Sequence, residues 1–437
     1  MPGIEEGGSK MKKALLSTLA LVITLSLVAC AQPESLSVEL LQSSKPRITE
    51  PDVSESDLTT QVSGNSYFAF DLYQSLREGN DNLFYSPYSI SLALAMTYAG
   101  ARGETARQMA DTLHFNLDQD RLHPLFNSLD IELDKRGEGA RGKDGEGFQL
   151  NIVNAIWGQK NYKFLSGFLD LIAQNYGAGL RPLDFANELE ESRITINNWV
   201  SDQTAEKIED LIPQGVLSPA TVLVLTNAIY FNAAWQYPFN ENQTEDGPFY
   251  LLDGNAITVP MMKETESYGY TEGDNYQAVE LPYDGGELSM VILLPQAGQF
   301  DAFESALDGN RVADIIGRIQ YQQVALTMPK FTYESKFMMK KILSDMGMRD
   351  AFLPGIADLS GIDGTRNLFI DEVIHQAFVD VDEAGTEAAA ATAVVIALTA
   401  APAEPKQVTI DRPFIFLIRD IETGTILFVG RVLNPSA

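Results

Sequence analysis

Val379-Asp380-Val381-Asp382-Glu383-Ala384-Gly385-Thr386-Glu387 runs directly into Ala388-Ala389-Ala390-Ala391-Thr392-Ala393-Val394-Val395-Ile396-Ala397-Leu398-Thr399-Ala400-Ala401. Between Glu387 and Ala401 there is no charge, no proline and no glycine, and prolines return at Pro402 and Pro405. Two readings stand. Alanine is the best helix former, so one is a buried alanine helix. Against it, the run ends in β-branched residues and has no polar face. The other is a segment able to become a central β-strand, which must donate every backbone N–H and so cannot hold proline. With period two, Thr386, Ala388, Ala390, Thr392, Val394 and Ile396 share one face, and Glu387, Ala389, Ala391, Ala393, Val395 and Ala397 the other. Small side chains near the start would let such a strand slide between two neighbours with little steric resistance.

Outward from this stretch, the pattern is helix-rich early and strand-rich late, with no βα period. That favours α+β over a doubly wound sheet. Residues 61–80 carry a broad apolar stripe and read as a helix. Ser86-Pro87 reads as a helix start, followed by short helical segments up to Leu113. Strands are expected at Phe148–Trp157, Val222–Phe231, Val324–Met328 and either side of the turn Asp284-Gly285-Gly286. Helices are expected at Ser192–Leu211 and Lys336–Met346, and a terminal hairpin from Phe414–Ile418 with Ile426–Val432.

The chain has 437 residues with a net charge of −29, and 45% of residues are hydrophobic, enough for a folded core. Its acidity argues against nucleic acid and against an anionic membrane face as partners. One cysteine excludes an internal disulfide framework, and three histidines (His114, His123, His375) give little for a metal site. Gly137-Glu138-Gly139-Ala140-Arg141-Gly142 fits a nucleotide-binding loop by letter. However, polar residues precede it where a strand should be, and Asp144 stands where a P-loop needs Ser or Thr. Asp380 and Asp382 hint at a calcium loop, but Ala384 and Ala391 occupy ligand positions. There is no GxSxG elbow and no HExxH pair, so an enzyme is not expected.

The N-terminus reads as an address. Met11-Lys12-Lys13 precedes an apolar run from Ala14 to Ala29, short for a membrane span, and the pattern is that of a signal peptide over residues 1–29. Met1–Lys10 reads as an over-called start, since signal peptides begin at a Met-Lys-Lys such as Met11-Lys12-Lys13. Leu27-Val28-Ala29-Cys30 resembles the bacterial lipoprotein signal, in which the cysteine takes a lipid and becomes the new N-terminus. Residues 30–60, rich in Ser, Glu, Pro and Thr, read as a flexible tether, and the folded domain is expected over 61–437.

From residue 61 on, the sequence resembles the serpins. Beyond the hinge Glu383–Thr392, the similarity lies in Asn82-Leu83-Phe84-Tyr85-Ser86-Pro87-Tyr88-Ser89-Ile90 and Thr226-Asn227-Ala228-Ile229-Tyr230-Phe231 with Trp235. It continues in Val259-Pro260-Met261-Met262, Met328-Pro329-Lys330-Phe331, Ala357-Asp358-Leu359-Ser360-Gly361, Asp411-Arg412-Pro413-Phe414 and Phe428-Val429-Gly430-Arg431-Val432-Leu433-Asn434-Pro435. The resemblance implies helices around three β-sheets with an exposed reactive-centre loop. It also implies a suicide inhibitor of serine endopeptidases, in which the loop is cleaved, the acyl-enzyme is trapped and the cut loop enters the large sheet as a strand. The other reading is a non-inhibitory member acting as a binding or chaperone-like surface protein.

By position, Ser86, Ser89, Asn197 and His375 fall at the family's shutter, the polar cluster beneath the opening strands, and Trp235 falls at the breach, where the loop first enters. Glu383, Gly385, Thr386, Glu387, Ala388, Ala389, Ala390, Ala391 and Thr392 form the hinge. Counting the family's spacing from Glu383 puts the reactive bond at Thr399–Ala400. The stretch up to Pro413 is longer than in the commonest members, so Leu398–Thr399 and Ala400–Ala401 stay open. These small or aliphatic residues imply elastase-like or subtilisin-like targets rather than trypsin-like ones, with papain-like cysteine proteases also open. No basic helix suits a heparin-like activator, so no cofactor is expected, and a monomer is. The N-terminal signal implies export as a cell-surface or periplasmic lipoprotein or an extracellular protein, touching membranes only through its lipid. Cys30→Ala is expected to shift the protein from membrane to soluble fractions; unchanged membrane association would refute the lipid reading.

Overall fold

The Ser54 hydroxyl accepts from the Asp57 N–H and opens α1 (Glu55–Leu76) six residues before the expected start. The computed structural model describes residues 39–79, 81–138, 140, 149–386 and 404–437. The folded body begins at Glu39, not at residue 61. The expected tether therefore needs correcting over 39–60: Leu41 pairs with Leu180, the Ile48 N–H donates to Gln174, and α1 buries Asp57. Polar composition hid this, because edge pairing uses backbone groups that every residue carries.

The chain continues through β1 (Leu83–Tyr85), α2 (Pro87–Tyr98), α3 (Gly103–Leu113), α4 (Gln119–Asp134), β2 (Gln149–Gln159), α5 (Ser166–Tyr176), β3 (Leu180–Leu183), α6 (Leu189–Gln203) and β4 (Leu223–Ala234). Then come β5 (Glu245–Tyr250), β6 (Ala256–Gly273), β7 (Tyr276–Pro282), β8 (Leu288–Pro295), α7 (Phe300–Ser305), α8 (Gly309–Gly317), β9 (Gln320–Pro329), β10 (Phe331–Met338), α9 (Met339–Met346) and α10 (Ser360–Asp363). β11 (Glu372–Val381), β12 (Gly385–Thr386), β13 (Lys406–Thr409), β14 (Phe414–Asp420) and β15 (Ile426–Val432) complete it.

This is the expected α+β class. Where three sheets were implied, the hydrogen bonds join into two networks. One has the order β10-β11-β12-β4-β2-β3; the other runs β1-β15-β14-β8-β7-β6-β9-β13, with β5 on β6. The long β6 merges what would be two smaller sheets, since it pairs with β5 near one end and with β7 near the other. The core lies between the layers, where Phe84 stacks on Phe428 at 5.0 Å. Helix α2 is buried along its whole length, which explains its lack of a polar face.

Two boundaries moved for local reasons. The helix expected over Ser192–Leu211 stops at Gln203, where Ala205 and Glu206 take left-handed φ of 49° and 62°. Such angles are uncommon without glycine, so the sequence carries no stop signal there. The helix expected from Lys336 starts at Met339, because Lys336 and Phe337 remain in ladder with Gln376 and His375.

Candidate functional site

The site is a slot in the six-stranded sheet. β11 and β4 run parallel and in register from Glu372–Val224 to Ala377–Ile229. Beyond that they part, and β12 wedges between them, Thr386 standing opposite Ala233 on one side and Val381 on the other.

Local chemistry fixes the wedge. The Asp382 carboxylate accepts from the N–H of Ala384 at 2.8 Å and of Gly385 at 3.3 Å, turning the chain back from β11. Both bonds fall on the same oxygen, Oδ1. Burial raises the Asp382 pKa. Gly385 touches β4 so closely that a Cβ would lie 2.2 Å from the Ala233 carbonyl oxygen, which leaves room for glycine alone. Thr386 is buried and its hydroxyl lies 2.9 Å from that of Tyr283.

Trp235 closes the top of the slot. Its backbone N–H donates to Ala384 O at 2.8 Å, its indole N–H donates to Asp382 O at 3.0 Å, and its ring stacks on Tyr283 at 4.7 Å. Glu383 is pinned by Lys330 at 2.7 Å and by the Thr244 hydroxyl at 2.7 Å. Burial pushes the Glu383 carboxyl up, but these two partners outweigh it and leave its pKa below the usual value.

Lower down, where β4 and β11 are still paired, lies a buried polar cluster. The Ser86 N–H donates to His375 Nε2 at 3.1 Å, so Nδ1 carries the proton and donates to Asn227 Oδ1. The Asn227 amide donates to the Ser89 hydroxyl at 2.5 Å and to Asn154 Oδ1, and the Ser89 N–H donates to Ser86 Oγ at 3.1 Å. The structure thus brings Ser86, Ser89 and His375 together as expected, but not Asn197. Asn197 sits on α6, where its amide donates to Asp210 at 2.7 Å and accepts from the Ile212 N–H at 2.8 Å. The asparagines of the cluster are Asn154 and Asn227, on β2 and β4. An asparagine inside an apolar strand run was the available signal, since an unpaired amide there would be costly.

Glu387 to Thr392, Leu398 to Ala401 and Cys30 lie outside the described residues, as do Gly139, Arg141 and Gly142 of the glycine-rich stretch. Among the described residues, no group of three or more His, Cys, Asp or Glu could hold a metal ion. No described helix is long and apolar enough to cross a membrane.

The site is thus a sheet split by β12 over a buried polar cluster. The sequence profile of the family described as Serpin (serine protease inhibitor) matches residues 63–435. The chain belongs to the serpin family. It is 41% identical to an uncharacterized serpin-like protein of Thermococcus kodakarensis over 86% of this chain and 85% of that one. It is also 41% identical to the leukocyte elastase inhibitor of Xenopus laevis, over 85% of this chain and 98% of that one. The native structure of tengpin, a thermophilic serpin, superposes with a TM-score of 0.79 at 30% identity, covering 91% of this chain and 99% of tengpin.

Burial drives the His375 imidazole down to about 3, and burial together with the nearby Arg102 drives His123, beside the Tyr176 hydroxyl, to about 4. His375 faces Ser86, Asn227 and the stacked Phe337 ring, none of them charged. Both imidazoles are depressed below the unfolded value near 6.5, so their stability is whole above that pH and is lost as pH falls toward 4 and 3. At pH 5 each costs about 2 kcal/mol. The drop in melting temperature between pH 7 and pH 5 is expected to shrink in His375→Gln; an unchanged drop would show that this cluster does not set the acid limit.

Proposed function

We propose that this chain is a suicide inhibitor of elastase-like or subtilisin-like serine proteases, acting by cleavage of its loop and insertion of the loop as a strand. The observation that carries this reading is one of register. β4 and β11 keep a single offset, since Val381 stands to Ala233 as Ala377 does to Ile229. Extending β12 antiparallel from Thr386 sets Ala388 between Phe231 and Val379, Ala390 between Ile229 and Ala377, and Thr392 between Asn227 and His375.

Inward positions of the neighbouring strands are buried, including Ala233, Phe231, Ile229, Val381, Val379 and Ala377. The inward loop residues facing them are small. After Thr386 the next inward polar residue is Thr392, and it meets the polar cluster. A helix of alanines gains nothing from that coincidence, whereas a strand needs it.

The exchange is favourable. Insertion breaks the six pairs between β4 and β11 but gives the loop a ladder on both sides. About ten residues gain strand hydrogen bonds at a net ~1 kcal/mol each, and six inward side chains add on the order of 6–10 kcal/mol by burial. Ordering the loop costs about 1 kcal/mol per residue or more. A surplus of up to about 6–10 kcal/mol would fall within the stability range of an ordinary domain, enough to disrupt an attached protease. The leukocyte elastase inhibitor among its relatives supports the same target class. A lipid on Cys30 and a reactive bond at Thr399–Ala400 complete the proposal.

An elastase-like protease is expected to form a complex that survives boiling in SDS, and the cleaved protein is expected to melt well above the intact one. Clean cleavage without a complex across protease classes would leave the non-inhibitory reading. Thr386→Arg puts a charge on the buried inward face and is expected to convert the inhibitor to a substrate; persistent inhibition would refute the register. Thr399→Arg is expected to recruit trypsin-like proteases, and no such gain would move the reactive bond.

A further inference from the structure

The residues from Asp382 to Gly385 join the facing pair Val381 and Thr386, so β11 and β12 are the two arms of a hairpin. On its other side β12 pairs antiparallel with β4, Gly385 against Ala234 and Thr386 against Ala233. Both pairings have the sense that an inserted loop strand would need. Insertion would therefore lengthen this hairpin residue by residue and leave its turn where it stands.

The Asp382 N–H donates to Gly385 O at 3.0 Å and closes the turn. The other carbonyls of the turn serve the chain just past β4. Asp382 O accepts from the Trp235 indole at 3.0 Å, Glu383 O from the Phe239 N–H at 2.8 Å, and Ala384 O from the Trp235 N–H at 2.8 Å. That leaves the N–H groups of Ala384 and Gly385, both buried residues, and the single atom Asp382 Oδ1 accepts both. Without it two buried donors lose their partner at once, which is costly.

The turn decides register. Side chains alternate along a strand, so a turn longer or shorter by one residue would send every later residue to the opposite face. Thr386 is 1% exposed, with its hydroxyl 2.9 Å from that of Tyr283. A slip of one would call for the charged Glu387 at that buried position. The turn also decides timing. On the insertion reading, the trap holds only if the loop enters before the acyl-enzyme is hydrolysed. A turn already closed lets the next residues add without a fresh closure cost, whereas a loosened one must first close again.

We propose that Asp382 is a positioning residue for insertion, its Oδ1 holding the turn from which the cut loop zips into the sheet in register. The inference rests on the insertion reading above and concerns how that step begins. What acts is the acceptor atom and its place, not the charge, and three substitutions separate the two. Asp382→Asn keeps an oxygen at the same distance along the side chain. Asp382→Glu keeps the charge but carries its oxygens one carbon further out. Asp382→Ala keeps neither.

The full chain and the three variants are mixed with an elastase-like protease. The partition between SDS-stable complex and released, cleaved inhibitor is measured beside the rate of loop cleavage. Asp382→Asn is expected to partition as the parent does. Asp382→Ala and Asp382→Glu are expected to release about fivefold or more cleaved inhibitor per complex, with the rate of loop cleavage unchanged. Amide hydrogen exchange at Ala384 and Gly385, read without protease, is expected to speed up in the same two variants and not in Asp382→Asn. Parent-like partition in Asp382→Ala overturns the proposal. So does a loss in Asp382→Asn equal to that in Asp382→Ala, and so does full activity in Asp382→Glu, since either would put charge in place of the acceptor. If Asp382→Ala does not fold, the Asn and Glu variants decide. Should the parent form no stable complex and gain no melting temperature on cleavage, the insertion reading itself fails and takes this inference with it. Should the parent do both while Asp382→Ala partitions as it does, the role of Asp382 alone falls.

Discussion

The structure depends on a ladder left unfinished. β4 and β11 satisfy one another from Glu372 to Ala377 and then diverge. Above Ala377 the two strands part and β12 stands between them, Thr386 opposite Ala233 on one side and Val381 on the other. On the proposed insertion, the chain that continues from Thr386 would extend β12 between these two strands. The remaining features either prepare that entry or restrain it.

Preparation is concentrated at the top. Gly385 lets the backbone touch β4, and Thr386 already occupies an inward position. Trp235, Lys330 and Thr244 fix the residues just before them, so the first step of a strand is made in advance. Restraint lies below, where His375, Asn227, Ser86, Ser89 and Asn154 join β11, β4, α2 and β2. Neither His375 nor Asn227 has a spare group, so parting the strands leaves buried donors and acceptors without partners, which is costly. In the proposed inserted strand, Thr392 would take up some of them.

Much of this was legible in the sequence, and the exceptions share a cause. The period-two face of the hinge follows from local pattern, and burial of Thr386 agrees with it. The hairpin β14–β15 and the start of α2 rest on equally local signals. The exchange of Asn197 for Asn227 is different: which asparagine meets His375 is a matter of contact across 148 residues, and side-chain type alone does not choose. The Lys330–Glu383 pair spans 53 residues and was invisible for the same reason. Residues 39–60 misled because composition reports how little a segment can bury, while a bridge at Leu41 and a bond from the Ile48 N–H suffice to dock it on a body already folded.

That docking also shortens the leash. With Cys30 as the proposed anchor, about nine residues instead of some thirty separate it from the folded body, a span of at most about 30 Å at roughly 3.3–3.6 Å per residue. If Cys30 carries the proposed lipid, a molecule held so near a bilayer would guard the surface it is attached to rather than patrol the surrounding fluid. The enzymes it meets would be those that come to the cell.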